Sequence, residues 1–430
     1  MRLRTGLVGL VILVLAAAAA ACDSNSTDRS GSPASTQAGH PAGHAATPTT
    51  VLPADASPTE LRAQFEQLLG QHALLAVRLM RSVVTQTPDL RAATEASLKE
   101  NTAALTQLVT AAYDDAQSSR FDQVWERTVL DLTAYAEAVD AGDAPAKQSA
   151  RSDLLADADA YGSWLARASG GRVQAGDAPN AMRTHVEHLM KQLDAYTTRD
   201  YDTAYRIERE AYEHLFATGV TLAKGSVAPK AAATLDAPPE QLRSAFAMLL
   251  GEHMELIIGA QRATFGGSPE FKAAAEQVNA NSDALTKGMG AIIGPTKAAE
   301  FQSAWAEHVE GLMAYSTAVA DGDEAGKAAA VENLDGVAGR LALFLSDIVR
   351  NELPVEPLTQ ALSAHDTHLV DQVNAYAGKR YGDALQMEHA GYQQMLGVAG
   401  TLVAAIQKTV KPQLPVGGSQ TGGGGTAHRR

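Results

Sequence analysis

The chain has 430 residues, 45% of them hydrophobic and only 5% aromatic, with a formal net charge of -14. That length admits two or three domains, and the charge excludes a general nucleic-acid binder, which needs a basic footprint. Cys22 is the only cysteine, which excludes a disulfide framework.

Residues 1–22 read as an export signal. Arg2 and Arg4 form a basic start, Leu7 to Leu15 a short apolar core, and a run of alanines leads to Cys22. The apolar stretch is too short and one-sided for a spanning helix. Ala19-Ala20-Ala21-Cys22 resembles a bacterial lipoprotein cleavage box, with alanine where leucine is more usual. The resemblance implies a palmitate-bearing Cys22 as the mature N-terminus, anchored by lipid on the extracytoplasmic face of the cell membrane. An ordinary cleaved secretion signal is the alternative. Losing residues 1–21 removes two arginines and takes the charge from -14 to -16. Residues 23–56 are rich in Ser, Thr, Pro, Ala and Gly, too polar to bury a core, and read as a disordered tether. His40 and His44 in it are incidental.

The body is helical by pattern. Leu61, Phe65, Leu68, His72, Leu75 and Leu79 recur at three and four residues. Similar stripes cover about 89–112, 117–140, 145–168, 177–197 and 200–224. They return at about 240–263, 269–293, 297–320, 325–350, 356–378 and 380–411. Breaks fall at Thr87-Pro88, Ala141-Gly142-Asp143, Gly170-Gly171, Gly266-Gly267, Asp321-Gly322-Asp323 and Leu353-Pro354. The expectation is an all-α fold of two tandem, duplicated up-and-down bundles, at 57–226 and 239–411. A linker at 227–238 joins them, and 412–430 forms a disordered tail.

The duplication, at an offset of 180 or 181, also compares the sequence with itself. His72 returns as His253, Phe121 and Trp125 as Phe301 and Trp305, His185 and His188 as His365 and His368, and Glu208 as Glu388. Asn101 returns as Asn281, expected to bond to a neighbouring helix or to the interior histidines. His72, His253, Glu208 and Glu388 sit on apolar stripes, where a polar group is costly unless paired or metal-bound. The i, i+3 histidines share a face and can converge on one ion. His308 has no counterpart, since Thr128 holds that place in the first copy.

His253, His308, His368 and Glu388, from four helices and with His365 close by, thus form a candidate site for a transition metal, copper, zinc or iron, with His72, His185, His188 and Glu208 as its weaker relative. Met254, Met313, Met387 and Met395 are candidate thioether donors to Cu(I), though methionine is a common core filler. No Cys-x-x-Cys-His haem box, His-Glu-x-x-His helix, or pair of Glu-x-x-His helices occurs. Nothing resembles a catalytic serine, a catalytic cysteine or a phosphate site, which favours binding over catalysis. Two rivals stand: a scaffold whose interior polar residues only fix packing, and a haem or small-ligand binder.

Overall fold

The computed structural model describes residues 56–174, 176–265 and 269–409. Cys22, the expected signal, tether and C-terminal tail lie outside the described residues. Among those described, the elements are helices, with no strand. Six long ones come first: α1 (Pro58–Val84), α2 (Pro88–Ala112), α3 (Asp115–Asp140), α4 (Ala144–Ala168), α5 (Asp177–Thr197) and α6 (Tyr201–Ser226). The short α7 (Pro229–Ala232) and a 3-10 turn (Ala233–Asp236) then lead into α8 (Pro238–Phe265). The last five are α9 (Glu270–Ile293), α10 (Pro295–Asp321), α11 (Glu324–Ile348), α12 (Val355–Ala377) and α13 (Tyr381–Thr409). Among the described residues no helix is long and apolar enough to cross a membrane.

Local chemistry sets the boundaries. Ser57 and Glu60 form a reciprocal capping box at the start of α1. Asp143 and Asp323 cap α4 and α11, each accepting a backbone N–H at 3.0 Å. Gly142 and Gly322, just before them, have φ of 66° and 68°, left-handed values that cost glycine least. The segment between the copies is not featureless. Leu235 of the 3-10 turn is fully buried, and its carbonyl accepts from Arg62.

In each set of six, every helix packs on the next and the sixth closes back on the first. The first helix of each set also touches the third and fifth. The two sets then meet reciprocally: α2 lies against α13, α9 against α6, and α1 against α8. At the centre the Tyr212 and Tyr392 hydroxyls are 3.3 Å apart. Tyr212 donates to the Met248 carbonyl and Tyr392 to the matching Gln67 carbonyl. A Cβ on Gly70 would fall 2.5 Å from the Tyr392 hydroxyl, and one on Gly251 2.5 Å from that of Tyr212. The contact therefore has the form of a two-fold interface, made within one chain.

Candidate metal centre

Three helices that all touch one another, α8, α10 and α12, each carry one histidine inward near mid-helix. His253, His308 and His365 are 0%, 3% and 1% exposed, and one nitrogen from each ring lies within 4.8 Å of the others. Their ring centroids form a near-equilateral triangle with sides of 5.6, 5.6 and 6.0 Å. An ion about 2.0–2.1 Å from three imidazole nitrogens would set those centroids roughly 5.2–5.6 Å apart, between tetrahedral and trigonal angles. Side-chain rotation of a few tenths of an ångström closes that gap.

Hydrogen bonding separates this cluster from an ordinary polar core. Both ring nitrogens of His253 and of His365, and Nε2 of His308, are buried without a hydrogen-bond partner. A buried polar atom left unpaired costs about 1–3 kcal/mol, and five such atoms lie on these three rings, of which one per ring can meet at a single point. Burial, with the neighbouring His308 and His365, holds His253 well below the usual histidine range. Burial, with His308 and His368, does the same to His365. Both rings are therefore neutral near pH 7, the state in which imidazole offers a lone pair.

The remaining ring nitrogen, His308 Nδ1, lies 3.2 Å from Oδ1 of Asp366, a buried carboxylate on α12. A carboxylate behind a histidine fixes its tautomer and makes the opposite nitrogen a better donor. Asp366 Oδ1 accepts no hydrogen bond in this geometry, so the contact is one of distance, which a small rotation of the His308 ring would convert into a hydrogen bond. Trp305 walls one side, its ring 4.5 Å from His253 and 5.2 Å from His308. Asp366→Asn should weaken metal binding about 10- to 100-fold while leaving helicity unchanged. Chelator competition against far-UV circular dichroism checks this, and unaltered affinity would remove Asp366 from the site.

The other residues singled out by the duplication lie elsewhere. Glu388 is clamped by Arg262 at 2.8 Å and by Arg78 of the first set, which also reaches Glu255 at 3.2 Å. Glu208 is paired to Arg81 at 2.8 Å. A carboxylate so held has no free lone pair aimed at the histidines, so these two are ion-pair groups rather than cluster members. His368 is half-buried, with its Cβ beside Gly391 of α13, and is not one of the three rings that converge. Met254 packs into the niche that Gly391 leaves, and Met395 belongs to the apolar core. Asn101 and Asn281 each donate at 3.0 Å to a carbonyl, of Leu68 and Leu249, and not to a histidine.

In the first set, His72 and His185 keep the pose of His253 and His365 but lack a third ring. Thr128 replaces His308, and its hydroxyl donates to the Val124 carbonyl at 3.0 Å. Val186 stands where Asp366 does. The third ligand and the carboxylate behind it are thus absent together. His188, half-buried, packs edge-on to His214 at 5.7 Å.

No protein-family model matches this chain, and no curated protein or solved structure is significantly similar to it. The site's own geometry therefore carries the functional argument.

Proposed function

We propose that this is a lipid-anchored extracytoplasmic protein that holds one transition-metal ion, copper by preference, for storage, buffering or sensing at the cell surface. The observation that carries the reading is the convergence of one nitrogen from each of three buried histidines, with neither ring nitrogen of His253 or His365 hydrogen-bonded. A hydrogen-bonded network that only fixed packing would have satisfied them. Haem is disfavoured because three rings converging on one point collide with a macrocycle that leaves only two axial positions free. Imidazole donors suit copper, which also stands highest among the divalent ions in affinity. One anionic group, Asp366, behind three neutral ligands fully offsets the charge of Cu(I). Near-complete burial of all three donors favours holding an ion over turning over a substrate.

Protein purified without a histidine tag and reloaded separately with Cu(II), Zn(II) and Fe(II) should retain one tight divalent equivalent per chain. His253→Ala or His365→Ala should weaken binding at least roughly 100-fold, since a structural site distributes about 10–16 kcal/mol over three or four ligands. Absence of a tight equivalent, or its survival in both variants, overturns the reading. Cys22→Ser should move the protein from the membrane to the soluble extracytoplasmic fraction. Unchanged fractionation would disprove the lipid anchor alone.

A further inference from the structure

The first set of helices contains a second group of orphaned donors that the reading above does not use. His72 on α1 and His185 on α5 are both completely buried, and all four of their ring nitrogens lack a partner. His72 lies on Trp125 at 4.5 Å and 52°, the same values by which His253 lies on Trp305. The His72 and His185 centroids are 5.8 Å apart, against 6.0 Å for His253 and His365. Two rings that converge in one copy therefore take the same pose in the other.

We propose that His72 and His185 form a second, two-coordinate metal site, selective for a soft monovalent d10 cation such as Cu(I). An ion about 2.0–2.1 Å from two ring nitrogens sets their centroids roughly 5.8–6.4 Å apart as the angle opens from bent to linear. The observed separation lies at the bent end of that span. Divalent ions of this class take four ligands in closed protein sites, and here only two are offered. Thr128 supplies none, because its hydroxyl is committed to Val124. The cost of taking an ion out of water scales with the square of its charge, so a divalent ion is penalised about fourfold relative to a monovalent one. No carboxylate stands behind either ring as Asp366 does behind His308. Asp157, the nearest on the Thr128 side at 3.5 Å from its hydroxyl, is already paired with Arg127. Both donor number and charge thus select the monovalent ion.

The test uses the chain from residue 23 onward, which removes the Cys22 thiol, with His253→Ala and His308→Ala to disable the three-histidine cluster. Silver(I), a redox-inert probe for Cu(I), and Zn(II) are titrated separately, and X-ray absorption reads the donors. The expected result is one tight Ag(I) equivalent with two nitrogen neighbours and no tight Zn(II). His72→Gln or His185→Gln, whichever keeps the parent melting temperature, should abolish the Ag(I) equivalent. No tight Ag(I), as when the two rings merely share a buried water, overturns the proposal. So does an Ag(I) equivalent that survives both substitutions, or one with sulfur neighbours. Failure of the three-histidine cluster to load in the unsubstituted chain would overturn the earlier reading and leave this one standing.

Discussion

The metal-free protein should be most stable near pH 6–6.5 and should lose stability progressively as the pH falls below that, more steeply below about pH 4.5. Burial pushes His72 down to about 3 and holds His185, His253 and His365 well below the usual range. Once unfolded, each titrates near 6.5, so below that pH the unfolded chain binds four protons that the native chain refuses. Stability therefore rises with pH through that window and falls as pH drops. Each such proton is worth about 1.4 kcal/mol per pH unit, so the four give about 5 kcal/mol per unit.

Three acids oppose this. Burial and Glu388 raise Glu255 to about 8, burial and Glu252 raise Glu213 to about 7, and burial and Asp157 raise Asp131 to about 6. Their protonated forms belong to the native state, so they favour it as pH falls until the unfolded acids protonate near 4.5. Asp131 is largely solvated and counts for less. Between 4.5 and 6.5 the acids offset only part of the histidine loss, leaving a net uptake of one to two protons by the unfolded chain, about 1.4–2.7 kcal/mol per pH unit. Below 4.5 the acids no longer offset the histidines and the loss steepens, against a whole domain's roughly 5–15 kcal/mol. Urea melts from pH 8 to 4 read this directly. His72→Gln should lower the acid-limb slope by one proton. An acid limb with uptake of fewer than two protons would show that the histidines are not dry in the native state.

Most of the fold is legible in the sequence because its punctuation is chemical. The stripes at 89–112, 117–140, 145–168 and 177–197 fall within two residues of α2 to α5, since Pro88, Gly142-Asp143 and Gly170-Gly171 leave the chain little choice. His253 and His308 are legible as inward groups for the same reason, but of the i, i+3 pair the pattern favours His368, whereas His365 is the one that joins the cluster. Glu208 and Glu388 are misread by that logic. An apolar stripe says that a helix face is covered, not by which neighbour. Glu388 on α13 faces Arg78 of the other set, and Tyr212 and Tyr392 on the same two helices meet at the contact between the sets. What both copies preserve is an ion pair within each set, Arg81 with Glu208 and Arg262 with Glu388, to which Arg78 adds a cross-set partner for Glu388. His389 belongs to the contact between the sets as well, bonded to Gln71 of α1, while the matching Arg209 bonds to Glu252 of α8 at 2.7 Å.

Asp366 escapes a search for shared residues because its counterpart is Val186. The signal that exposes it is a joint difference: His308 becomes threonine and Asp366 becomes valine in the same copy. Two positions that change together on different helices are better evidence of contact than either alone.

That paired difference can be reversed, and Thr128→His is expected to turn one tight divalent ion per chain into two. Thr128 is buried on α3, in the place of His308, facing the His72 and His185 pair across helices that pack together. The incoming imidazole would complete three donors of the kind that His253, His308 and His365 supply. Asp157, whose Oδ2 lies 3.5 Å from the Thr128 hydroxyl, is already paired with Arg127, so the new imidazole would act without a carboxylate of its own behind it. Enlarging a packed core position costs about 1–3 kcal/mol. A saturating ion returns about 2.7 kcal/mol at a free concentration 100 times its dissociation constant. The substituted apo-protein should therefore melt below the parent and recover with Co(II) or Zn(II), whereas Thr128→Val should gain neither the second ion nor the recovery. Elemental analysis and melting curves with and without metal decide the matter. A folded Thr128→His variant that still binds a single equivalent would mean that three buried imidazoles in this pose do not suffice, and the second set's site would lose its simplest explanation.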